Sequence, residues 1–301
     1  MSRQTKEIVQ TVAFLIVVAA LVFVFVIYPM ARIKAALGRA DMGDYNPDSI
    51  PANDATAYIE AGFAPDTFSV ESDGWTTLAC LYLPTDTATA NPTKGTVFLL
   101  HEDGADRDAM TPWARLFVDS GYAVVVYDQR ASGLSTAKYR SDGQLEAGDI
   151  QEIIRYLDLR GRIVHPVILV GGRLGADAAL LAAQQEQRVD AVVAMNPYLT
   201  TKRMLDILKD EHGMFRFPFF RTVMWWWYGI RSSYAVNYRD IDDLKGVGAG
   251  ALLLLPADKL EDKEVQRLLE LSETGLLDVQ AAPSSDDELY QRVYGFVSGI
   301  G

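Results

Sequence analysis

Val167-Ile168-Leu169-Val170-Gly171-Gly172-Arg173-Leu174-Gly175-Ala176-Asp177-Ala178-Ala179-Leu180 joins an apolar, largely β-branched run to a small-residue helix through a glycine-dense turn. The run fits a buried strand, and the alanines that follow favour helix. Gly171 and Gly175 bracket one residue on a sharp strand-to-helix turn, an arrangement that elsewhere presents a nucleophile. Here that residue is Arg173. A guanidinium stays protonated near neutral pH and has no lone pair to offer a carbonyl carbon. The turn is expected, but without its nucleophile.

Outward from this stretch, strand and helix signals alternate. Phe68–Glu71 and Thr76–Leu83 flank Asp73-Gly74, a hairpin-type pair. Strands are expected at Thr96–His101, Ala123–Tyr127, Ala191–Met195, Ala251–Leu255 and Leu276–Gln280. Helices are expected at Thr111–Asp119, with Thr111 as its cap and Pro112 at its first position, at Leu145–Leu159 and at Asp286–Val297. Apolar strands alternating with helices imply a mostly parallel sheet covered on both faces.

Two further stretches narrow the fold. His101-Glu102-Asp103-Gly104 follows the third strand, and Gly121-Tyr122 leads through a strand to Asp128-Gln129-Arg130-Ala131-Ser132-Gly133-Leu134-Ser135. With the glycine-flanked turn, they resemble the α/β-hydrolase superfamily over roughly residues 65–300, most of all its single-anchor esterase or serine-aminopeptidase-type branch. The resemblance implies an α/β-hydrolase fold carrying a nucleophile, then an acid, then a histidine along the chain. It also implies that the triad is degenerate. Arg173 holds the nucleophile position, and Leu260 aligns with the acid, Asp258 and Glu261 being the nearest carboxylates. The loop expected to bear the histidine offers Ser284 and Ser285, which read as caps of the last helix. Glu102 replaces the family's glycine on the oxyanion side and opposes negative charge there. His101 reads as structural, and His165 and His212 as loop or surface residues.

Arg173 is expected to be neutralised from within the old site, by Glu102 first and by Asp258 or Glu261 next, because an unpaired buried arginine is costly. The other possibility is an anionic ligand in a surviving pocket lined by His101, Glu102, Arg173, Leu174 and Asp258. No histidine pair has metal-ligand spacing, so no metal and no cofactor are expected. The single cysteine, Cys80, reads as a buried hydrophobe.

At the N-terminus no charge occurs from Ile8 to Ala31, and Val12–Ile27 is wholly apolar. Such a stretch can cross a hydrocarbon core of roughly 30 Å and reads as an uncleaved anchor. Flanking charges set its orientation weakly, and the reading adopted places the globular domain outside the cytoplasm. The organisation expected is residues 1–31 as tail and transmembrane helix, 32–64 as a juxtamembrane helix (Ala31–Ala40) and acidic linker, and 65–301 as the hydrolase-like domain. Within it, a cap insertion of about 198–248 carries Phe219, Phe220, Trp225, Trp226 and Trp227 with Arg216, Arg221 and Arg231 interleaved. That composition suits a cap over the old site mouth, a membrane interface or a protein-contact hot spot.

A net charge of −12 over 301 residues argues against nucleic acid as a partner, since neutralising phosphates requires clustered Lys and Arg. The function expected is a membrane-anchored pseudoenzyme on this fold, an accessory or binding subunit meeting the bilayer through residues 8–31 and other membrane proteins through the aromatic cap. The competing expectation is a divergent hydrolase of ester, thioester or peptide bonds, with Ser132 or Ser135, His101 and Asp128 as its best available residues.

Overall fold

The computed structural model describes residues 2–38, 53–85, 92–137, 139–211, 222, 225, 228, 244, 247, 249–271 and 277–300. Phe219, Phe220, Trp226 and Trp227 of the expected interaction surface lie outside the described residues, as do His212, Arg216, Arg221 and Arg231.

Eight strands form one sheet: β1 (Asp66–Ser72), β2 (Thr76–Leu83), β3 (Thr96–Leu100), β4 (Ala123–Tyr127), β5 (Val167–Gly172), β6 (Ala191–Met195), β7 (Gly250–Leu255) and β8 (Leu277–Ala281). Their order across the sheet is β1-β2-β4-β3-β5-β6-β7-β8. Pairing is antiparallel from β1 to β2 and from β2 to β4, and parallel through the rest. Every residue of β3, β4 and β5 is buried, which explains why these strands read as unbroken apolar runs rather than alternating ones.

Helices fill both faces. On one, α5 (Gln144–Asp158), α6 (Leu174–Gln185) and the helix Lys263–Leu271 close over a core that includes Ile150, Ile153, Ala178, Leu181, Val265 and Leu268. On the other, α3 (Thr56–Glu60), α4 (Thr111–Asp119) and the final helix Asp286–Ser298 bury Tyr58, Trp113, Phe117, Val293 and Val297. Thr111 is not the cap of α4. A 3-10 turn, Arg107–Met110, feeds straight into the helix, so Met110 takes the cap position and the Thr111 hydroxyl donates to Asp108 O at 2.7 Å. Cys80 is fully buried, as its apolar setting implied.

The N-terminal helix runs further than expected. α1 (Arg3–Val22) passes through a π-helical turn, Phe23–Ile27, into α2 (Tyr28–Leu37). No break separates the apolar span from a juxtamembrane helix. Among the described residues, Arg3–Arg32 is one helix of 30 residues, long and apolar enough to cross a membrane. Its far end meets the domain. Pro29 is buried, and Tyr28 packs against a third apolar cluster built from Leu174, Tyr198, Tyr228 and three residues of α7 (Thr201–Glu211), namely Met204, Leu205 and Leu208. A bridge between Gly38 and Tyr139 adds a second contact.

Candidate functional site

The elbow forms as the sequence indicates. β5 ends at Gly172, Arg173 adopts φ 48° and ψ −113°, and α6 begins at Leu174. A left-handed arginine is strained, by about 1–3 kcal/mol, so its surroundings must hold it there. The flanking glycines are needed for close approach. A Cβ on Gly171 would lie 2.5 Å from the Gly175 carbonyl, and one on Gly175 would lie 2.7 Å from His101 O. α6 therefore crosses β5 and β3 at a distance only glycine allows.

Arg173 is held by a fork on each side. Its Nε donates to Asp103 Oδ1 at 3.0 Å and its Nη2 to Asp103 Oδ2 at 3.3 Å. Nη1 and Nη2 each reach a Glu211 carboxylate oxygen at 2.8 Å. Nη2 also bonds the Tyr198 hydroxyl, which in turn donates to Asp103 Oδ2 at 2.9 Å. Burial disfavours the Arg173 charge, but the bonds from Glu211 and Asp103 more than offset it and hold its pKa above the ordinary value. Burial likewise opposes ionisation of Asp103, and Arg173 overcomes it, so the Asp103 carboxyl titrates below its usual range.

The pairing expected for Arg173 is thus corrected in its partners. The Glu102 carboxylate makes no hydrogen bond or ion pair among the described residues, and its pKa is raised by burial against the pull of Arg173. Asp258 is exposed and faces Lys259 at 3.6 Å. Asp103 instead lies in a turn with Gly104 (φ 85°) after β3 and meets the elbow guanidinium. Glu211 comes from the last residue of α7, in the segment leading to the cap. Neither Glu211 nor Tyr198 carries a sequence signal beyond lying after β6. What fixes Tyr198 is Asp177 of α6, whose carboxylate accepts from the amides of Tyr198 at 3.0 Å and Leu199 at 2.9 Å.

The other positions singled out from the sequence have plain structural roles. Leu260 packs on the α5–α6 core. Ser285 caps the final helix by accepting from Glu288 N, and Ser284 is exposed beside it. His101 is buried; its Nε2 accepts from Gln129 N at 3.0 Å, so Nδ1 bears the proton and donates to Glu102 O at 2.7 Å. Burial lowers its pKa to about 4. His165 is exposed and pairs with Asp190 at 2.7 Å.

The alternative constellation is committed to holding loops. Ser135 Oγ accepts from Ala79 N at 2.9 Å and donates to Asp128 O. Ser132 Oγ accepts from Arg140 at 3.2 Å. Asp128 accepts from the amides of Arg107 and Leu134, both at 2.9 Å. Beside them the Arg130 fork grips Asp149 at 2.6 and 2.8 Å, inside the core.

A cavity of about 480 Å³ opens where the histidine loop would contribute its ring. Met110, Trp113, Met195, Leu254, Ala282 and Leu289 line it, with Glu102 and Asn196 as its polar members. Its size and largely apolar wall match those of small-molecule sites. No cluster of three or more His, Cys, Asp or Glu fit to hold a metal occurs among the described residues.

The chain is similar to known proteins in sequence and in fold. The family model for serine aminopeptidase S33 matches residues 91–244, about half of the chain. A quorum-quenching protein, AidA of Acinetobacter baumannii, is 32% identical over 152 residues, which is 45% of this chain and 49% of that protein. The chain therefore spans about half the length of this curated relative. Among solved structures, the Pyrococcus furiosus esterase Pf2001 superposes with a TM-score of 0.64 at 16% identity, covering 86% of this chain and 96% of the esterase. The α/β hydrolase GrgF from Penicillium superposes with a TM-score of 0.53 at 16% identity, covering 78% of this chain and 96% of its own.

Proposed function

The chain belongs to the serine aminopeptidase S33 family of α/β hydrolases, and from that premise we propose that it is a membrane-held member whose elbow no longer performs acyl transfer. In this reading it binds a small, largely apolar ligand in the cavity beside the elbow and serves as a binding or accessory subunit, with its domain outside the cytoplasm.

One observation carries this. The position that should attack the substrate holds a guanidinium locked between two carboxylates. Acyl transfer needs a nucleophile, a base to take its proton and donors aimed at the oxyanion. Arg173 cannot attack. His101 has both ring nitrogens engaged and is too weak a base near neutral pH. Glu102 and Asp103 place negative charge on the side where an oxyanion would develop.

Family membership and the likeness to an esterase favour a second reading, hydrolysis of an ester, thioester or peptide bond by other groups. The curated relative that is 32% identical over 152 residues is named for quorum quenching. One experiment separates the two. The purified protein is exposed to a fluorophosphonate probe and, separately, to p-nitrophenyl esters of increasing chain length. The binding reading expects no labelling and no turnover above a heat-denatured control, while Trp113 fluorescence changes as an apolar ester enters. Turnover that survives Arg173→Ala would establish the second reading.

A further inference from the structure

From the way the membrane helix meets the domain, we infer that the end of the sheet carrying the elbow lies against the bilayer surface, with Tyr28, Trp75 and Trp225 at headgroup level. The inference rests on the helix spanning the membrane, and the partner is the lipid itself.

The first support is length. The charge-free stretch begins at Ile8, and twenty residues of helix cover about 30 Å, the thickness of a hydrocarbon core. That distance ends at Tyr28. Tyr28 is also the residue that packs on the domain, in the cluster containing Leu174, next after the elbow arginine, and half-buried Trp225. The Arg32 guanidinium lies 5.4 Å from the Tyr28 ring centroid, an aromatic–cation pair of the kind favoured at the membrane boundary. Hydrocarbon therefore ends where the domain begins, which leaves no length for a spacer. The helix continues unbroken past the contact to Leu37, and Gly38 bridges to Tyr139, so the domain is held at two points.

The second support comes from the opposite side of the sheet. β2 runs antiparallel to β4, and its Cys80 pairs with Tyr127, the last residue of β4. Thr76–Ala79 and the turn before them therefore project beyond the carboxyl ends of the parallel strands, the same end as the elbow. At that turn stands Trp75, 91% exposed. A nearly naked tryptophan is costly in water and favourable among headgroups. The cap sequence between Met214 and Tyr228 adds aromatics interleaved with arginine, the composition of an interfacial segment. The other end of the sheet ends in Leu159 and the charged residues Asp158, Arg160 and Arg162 of the α5 exit.

The arrangement can be tested with the full chain in phosphatidylcholine vesicles bearing a headgroup spin label. Cys80 is the only cysteine and is buried, so a fluorophore can be placed singly at Thr222→Cys, Trp75→Cys or Leu159→Cys. Thr222 is exposed one turn before Trp225, and Leu159 is exposed at the far end of the sheet. Vesicle flotation verifies insertion, and an unchanged melting temperature verifies each fold. Quenching at 222 and 75 at least threefold stronger than at 159 is expected. Equal quenching at all three, or the strongest at 159, overturns the docking. So does absence of quenching at 222 combined with its protection in native membranes, which would mark a protein partner instead. A chain that does not float overturns both the span and the docking, whereas one that floats with 222 unquenched overturns the docking alone.

Discussion

Arg173 stands at the strand-to-helix turn and is held there by two carboxylates. Its planar fork matches carboxylate geometry on two sides at once, which an ammonium cannot do. Arg173→Lys should therefore lower stability by about 1–2 kcal/mol, and Arg173→Ser by about 2–3 kcal/mol, because the serine variant leaves Asp103 and Glu211 facing each other without a cation. Urea unfolding measures both. His101 makes a different prediction. Folded, it stays neutral until about pH 4, whereas the unfolded ring takes a proton near 6.5. Its contribution is then complete above pH 6.5 and is lost as pH falls toward 4, by about 3 kcal/mol in all. Comparing wild type with His101→Asn across that window should remove this slope and leave those of other groups. That an arginine stands at the elbow and serines stand in the loop before the last helix is legible at residues 173, 284 and 285, because each depends on one position. The partners of Arg173 are not. Asp103, Tyr198 and Glu211 come from three loops or helix ends, and only the packed structure brings them to one guanidinium.

At the level of elements the sequence was far more informative. β4 and β6 run from Ala123 to Tyr127 and from Ala191 to Met195, the bounds their apolar runs suggested, because strands buried on both faces tolerate no polar interruption. Helix ends were less readable, since the approach to α4 through a 3-10 turn depends on Arg107 being drawn to Asp128. The elbow tests element packing most directly. Gly175→Ala would push a methyl into two backbone carbonyls, those of His101 at 2.7 Å and Leu100 at 2.8 Å. Neither can rotate away. A loss of about 3 kcal/mol is expected, read as a fall in melting temperature. Gly172→Ala, whose methyl would meet mainly the flexible Glu102 side chain at 2.8 Å, should cost far less. That difference separates glycines the fold requires from one it merely contains.

For the molecule as a whole, the apolar span was evident in composition, but its seamless passage into the domain was not, since nothing between Ile27 and Ala40 announces that Tyr28 and Pro29 are docked. A chain starting at residue 33 should therefore lose membrane flotation and also melt several degrees lower than one starting at residue 28, which keeps the Tyr28 contact but lacks the span. Thermal melts of the two shortened chains check this. The docked, unbroken helix has one more consequence. In a chain held in the membrane as proposed, with no slack between span and elbow, the cavity would sample only a layer a few nanometres deep above that membrane and would travel in two dimensions. A ligand that partitions into that layer would be enriched for a protein so held and diluted for any soluble relative of equal intrinsic affinity. On the proposed binding reading, the abundance that would govern occupancy of the cavity is the ligand's mole fraction among the surrounding lipids, not its molarity in the surrounding water.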